Sequence, residues 1–194
     1  MRMAALALAS AVVLSGCVRI GGAEPPERLY TLTPATVAPA GTATDVQEMT
    51  AALAVLEPTS PQRLAVPRIP VRATSDSLAY LQDAVWVELP ARLFQRVLAE
   101  TIRTVGNRLV FAENELQYAT RTRLSGHLGE MGYDAMTSSA VVRFDAVLQL
   151  PDGQIRTRRF ESVVAGVAPE AGAVAAALNR GANQVAAEVA EWIG

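Results

Sequence analysis

Downstream of residue 27 the chain passes through apolar segments of distinct period, and the period changes mark its elements. Arg28 to Thr33 reads as a first strand with Tyr30 and Leu32 apolar, followed by an Ala/Thr/Pro/Gly loop over residues 34–50. A second strand is predicted over Ala52 to Glu57, then a turn cluster "PTSPQR". In "LAVPRIPVRA", Pro67 and Pro70 each lack a ladder donor, which places that strand at a sheet edge or interrupts it. Residues 77–88 alternate as a strand running into a helix, and Pro90 suits a first helical turn. Leu89, Leu93, Val97, Leu98, Ile102 and Val105 then recur at helical spacing, with Arg92, Arg96, Glu100 and Arg103 off the stripe and Gly106-Asn107 as the stop.

After a short strand at Leu109 to Phe111, the pattern returns to period two. Val142, Phe144, Ala146, Leu148 and Leu150 share one face, with Arg143, Asp145 and Gln149 on the other. Asp152-Gly153 lies between two alternating runs, a strong hairpin signal. A second helix starts near Pro169 and carries Val174, Leu178, Val185, Val189 and Trp192; Gly181 and Ala182 fill the intervening turn and imply close packing. The predicted order β-β-β-α-β-β-β-β-α gives an α+β fold, an antiparallel sheet with two helices packed on one face. Trp86, Leu93, Val97, Phe144, Leu148, Val185 and Val189 are the expected core.

The first 27 residues follow a different logic. Arg2, an apolar run from Met3 to Leu14, and the small residues Ser15 and Gly16 have the layout of a secretory signal. The run is short of the roughly 20 residues a spanning helix needs. Leu14-Ser15-Gly16-Cys17 resembles the bacterial lipobox, which makes Cys17 the expected lipidation site. Acylation there supplies the two or more chains that stable anchoring requires. The domains read accordingly as a signal peptide over 1–16, a flexible tether over 17–27 and a folded domain over 28–194. Val18 follows the cysteine where an aspartate would resemble an inner-membrane retention signal, so the expected location is the outer membrane, facing the periplasm.

Composition narrows the chemistry. A formal net charge of −2 gives no footprint for nucleic acid, and all basic residues are arginine. Cys17 and His127 are the chain's only cysteine and histidine, which leaves no disulfide framework and no histidine-rich metal site. Gly126, Gly129 and Gly132 do not have phosphate-loop spacing and read as a bulged or closely approached strand. Arg156, Arg158 and Arg159 form a basic cluster, two of them assigned to the face away from Phe160, as a solvated surface or a site for headgroups or an acidic partner. Nothing has the spacing of a catalytic site, and no catalytic residue, metal ligand or cofactor is expected. The expected docking segment is Arg68 to Arg72, with Arg68 and Arg72 as its contact residues, because an edge offers free backbone groups for strand addition.

Cys17, "RLYTLTP" at 28–34, "RIPVR" at 68–72, "AVWVELPARLFQRVLAETI" at 84–102, and "PDGQIRTRRFESVVA" ahead of an alanine-rich helix ending in Trp192 together resemble the ABC-type transport auxiliary lipoproteins of the PqiC-like kind. The likeness covers nearly the whole mature chain; residues 57–67 depart from the family's more regular segment. It implies partners: an MCE-family substrate-binding protein with an inner-membrane permease and an ATPase, moving lipids between the two membranes. A homo-oligomer is compatible with this reading. The alternatives are a lipoprotein hydrolase of envelope material and a free-standing outer-membrane assembly lipoprotein.

Overall fold

A computed structural model describes residues 28–41, 52–106, 108–112 and 120–194. The signal peptide, the tether, Cys17, Val18 and Asn107 lie outside the described residues. Eight strands and two helices follow in chain order: β1 (Leu29–Tyr30), β2 (Leu53–Val55), β3 (Arg68–Arg72), β4 (Leu78–Trp86), α1 (Pro90–Gly106), β5 (Val110–Phe111), β6 (Thr122–Asp134), β7 (Ser139–Gln149), β8 (Ile155–Val164) and α2 (Ala171–Ile193). Four strands, one more than expected, precede α1, because "LAVPRIPVRA" and residues 77–88 each form one.

The fold is α+β, but the sheet is mixed. β3–β4, β6–β7 and β7–β8 pair antiparallel, whereas β1–β4, β2–β5, β2–β6 and β3–β6 pair parallel. Each parallel pair includes a strand of at most five residues and is joined through a long connection. No tight turn fixes its direction, so the antiparallel expectation fails there. The hairpins are where it holds, with Gly153 at φ 86° turning β7 into β8.

β6 organises the sheet. β7 runs beside it from Arg123 to Asp134, while its other side takes β2 near one end, Thr59 at His127, and β3 near the other end. β3 is therefore interior, which corrects its expected edge position. The proline problem is solved inside the sheet: the register with β4 jumps from Arg68↔Val85 to Pro70↔Tyr80, and the bypassed stretch of β4 contains Asp83 at φ 52°. Gly132 completes the fit, since a Cβ there would lie 2.6 Å from the Pro70 carbonyl oxygen. Gly126 likewise lies under the Phe144 ring, and a register shift falls between Leu128 and Glu130, at Gly129. The closely approached, bulged strand read from these glycines is what forms.

The seven expected core residues are all buried. Phe94 of α1 packs on Phe144 of β7 with ring centroids 5.2 Å apart. On α2, Gly181 brings the helix within contact of Val142 and Ser162, the close packing its small residues implied. Val105 departs from the expected stripe and is exposed. The first strand is also shorter than expected, because beyond Tyr30 the backbone turns to a helix for partners. Thr33 N–H donates to Asn179 Oδ1 at 2.8 Å, and Asn183 Nδ2 donates to the Thr33 carbonyl at 2.9 Å.

The strand contacts generate a test. Gly132→Ala forces β3 and β6 apart and should cost about 1–3 kcal/mol, as overpacking does. Gly129→Ala, whose added Cβ meets nothing nearer than 3.8 Å, should cost far less. Urea unfolding of both variants checks this; equal midpoints would contradict the close-approach account.

Candidate interaction surface

Side chains on β6, β7 and β8 alternate across the sheet. Those opposite the Phe144 side carry a row of charges that crosses four strands. Arg72 on β3 donates to Glu130 on β6 at 2.9 Å and to Asp134 at 3.3 Å. Glu130 also accepts from Arg143 on β7 at 3.2 Å, and Arg143 in turn donates to Glu161 on β8. Glu130 and Asp134 are each only 9% exposed, so these arginines neutralise carboxylates that would be costly to bury alone. The alternation that sets Arg143 and Asp145 against Phe144 was visible in the sequence; Glu130 was not, because the irregularity beside Gly129 shifts its register.

Next to this row, Arg159 grips Asp145 through both carboxylate oxygens. That hydrogen bonding holds the Asp145 carboxyl below its ordinary pKa against a smaller opposing effect of burial, with the charges of Arg159, His127 and Arg143 adding to it. The same contact raises Arg159. A carboxyl lowered on folding stabilises the fold above its ordinary value and loses that contribution as pH falls through the lowered one. Both groups are solvent-accessible, so the effect on stability is small. His127 sits beside them with Nδ1 3.0 Å from the Thr59 hydroxyl, an exposed contact that ties the β2 extension to β6.

Of the expected docking residues, Arg72 is committed to two carboxylates, while Arg68 is exposed with its guanidinium 4.6 Å from the Tyr80 ring centroid. The structure does not bring them to one free edge. Among the described residues the long regular edge is β8, which pairs with β7 alone; the outer side of β4 from Leu78 to Ala84 is also unpaired but is irregular at Asp83. Its arginines also correct an assignment: Arg158 lies 4.9 Å over the Phe160 ring and Arg156 5.2 Å over Trp192, so both share the Phe160 face and only Arg159 lies opposite. Period-two counting from Phe160 would have found this.

A groove of about 510 Å³ between the segment after β1 and α1 has Leu32, Val37, Ala99 and Val110 in its lining, with the Glu100–Arg103 pair beside them. Among the described residues no group of three or more His, Cys, Asp or Glu side chains could hold a metal ion. No helix among them is long and apolar enough to cross a membrane. This arrangement of satisfied ion pairs, a regular open strand edge and exposed arginines can hold another surface.

The Asp145–Arg159 contact predicts that Arg159→Ala raises the Asp145 titration midpoint toward the ordinary aspartate value of about 3.9. Carboxyl carbon chemical shifts followed from pH 2 to 6 measure it; an unmoved midpoint would contradict the assignment.

Among solved structures, the chain is similar to protein XCC0632 from Xanthomonas campestris, assigned to the DUF330 family, at 20% identity and a TM-score of 0.69, over 86% of this chain and 94% of that one. An uncharacterised protein matches at 14% identity and a TM-score of 0.66, over 86% of this chain and 100% of its own. Both likenesses establish the fold. The PelC dodecamer from Paraburkholderia phytofirmans matches more loosely, at 16% identity and a TM-score of 0.45 over 76% of this chain and 92% of that one. No functionally curated protein matches. The sequence profile of the ABC-type transport auxiliary lipoprotein component matches residues 30–190, nearly the whole described domain, and the chain belongs to that family.

Proposed function

We propose that this auxiliary component is anchored to the outer membrane through an acylated Cys17 and faces the periplasm. There it docks the MCE-family substrate-binding protein of a lipid-transporting ABC system whose permease and ATPase lie in the inner membrane. The observation that carries this reading is the family match over residues 30–190, joined to the lipobox-like Leu14-Ser15-Gly16-Cys17 ahead of it. The site supports docking over hydrolysis. Asp145 is held by Arg159 and the buried Glu130 and Asp134 are neutralised by arginines, so these carboxylates serve to hold the sheet together.

Arg68 and Arg72 stay in the docking proposal as side chains, without the free backbone first expected of their strand. Their roles differ. Arg72→Glu would set a third carboxylate beside Glu130 and Asp134 and destabilise the sheet, whereas Arg68→Glu alters an exposed group. Arg68→Glu alone therefore reads docking cleanly.

Cys17→Ala should abolish incorporation of a palmitate analogue and leave an unprocessed precursor; equal labelling of the variant would contradict the anchor. Arg68→Glu should weaken co-purification with the MCE protein several-fold at unchanged folding. Full recovery of the partner would remove Arg68 from the docking surface.

A further inference from the structure

We infer that β8 is an acceptor edge for an acidic, extended segment of a partner protein, added to the sheet as a further strand. This rests on the docking function proposed above and locates its main contact. Three observations on the strand converge. β8 keeps unbroken register with β7 from Gln149↔Ile155 to Ala140↔Val164, with no bulge or proline to spoil its outer side, and no described strand pairs there. The other strands with a single partner, β1 and β5, have two residues each, and the outer side of β4 that β1 leaves open is broken by Asp83 at φ 52°. A ten-residue regular edge is the kind that proteins ordinarily blunt.

The second observation is charge. β8 carries Arg156, Arg158 and Arg159 against Glu161 in a chain whose formal net charge is −2, so the positive strip is local. Arg159 and Glu161 are paired with Asp145 and Arg143, but Arg156 and Arg158 form no ion pair with any described carboxylate. Their guanidiniums rest on Trp192 and Phe160, which orients them without neutralising them. Ile155 and Val163, exposed at 65% and 55%, lie on the other face of the strand near its two ends, where they offer an incoming strand apolar contact. Backbone pairing gives affinity in strand addition, and flanking side chains select the sequence; here they select carboxylates.

The third is position. Tyr30, near the start of the described chain, reaches Gly172 at the first turn of α2, whereas Arg156 meets Trp192 at the last. At 1.5 Å per residue those ends are about 30 Å apart. The Arg156 end of β8 therefore lies at the far end of α2 from Tyr30 and the start of the described domain.

The test uses the full chain, purified from membranes and placed in phosphatidylcholine nanodiscs, with a labelled ten-residue peptide alternating glutamate and threonine. The expected result is saturable binding, with amide protection gained within residues 155–164. Binding should weaken at least tenfold in Arg156→Glu/Arg158→Glu and less in the Gln pair, and be absent for a glutamine–threonine peptide. Unfolding midpoints matching the native chain show that the variants fold. Binding unaffected by the substitutions, or protection gained elsewhere, overturns the proposal. So does protection of residues 155–164 without peptide, whether it appears with self-association or on moving to phosphatidylglycerol nanodiscs, because the edge then serves a second copy or a membrane. Loss of peptide binding with intact co-purification of the MCE protein would sink this inference and leave the function standing.

Discussion

The close approach of neighbouring chain to β6 is the constraint on which the rest of the structure depends. One thirteen-residue strand must satisfy β7 along one side and three separate pieces on the other: β2, the Thr59 segment and β3. Gly126 and Gly132 make this possible by removing the side chains that would strike the Phe144 ring and the Pro70 carbonyl. On the β7 flank no described strand follows β8, so the crowded spine and the open edge lie two strands apart in one sheet.

Charge follows from that geometry. Glu130 and Asp134 sit on the crowded strand, where little solvent reaches them, and each needs a cation nearby. Arg72 and Arg143 arrive from the flanking strands, so the ion pairs also tie β3, β6, β7 and β8 together across the sheet. On the opposite face of β8, Arg156 and Arg158 rest on aromatic rings and pair with no described carboxylate, so the two faces of the strand differ: one closes on itself in ion pairs and the other keeps unneutralised charge.

Much of this was legible in sequence, and the exceptions have physical causes. The helical stripes of α1 and α2, the Asp152-Gly153 hairpin and the seven core positions depend on local period and turn chemistry, which a sequence displays directly. The interior position of β3 does not. Pro67 and Pro70 do argue for an edge, but the irregular register with β4 absorbs the missing donors, and no local pattern announces such a detour. The parallel pairings involve strands too short to carry a period. Of the candidate site, the arginines of β8 were noticed, while their unpaired edge could be recognised only once the strand order was known. Cys17 remains a reading of motif, since it lies outside the described residues.

Native-state hydrogen exchange of the full chain without partner tests the central claim most directly, that β6 is the closed spine and β8 the open edge. In an antiparallel pair, successive N–H groups of an edge strand point alternately toward its neighbour and away from it. The account predicts slow exchange throughout β6, limited by global unfolding, and alternating slow and fast amides along β8. Uniformly slow exchange along β8, or exchange from β6 as fast as from the loops, would contradict it.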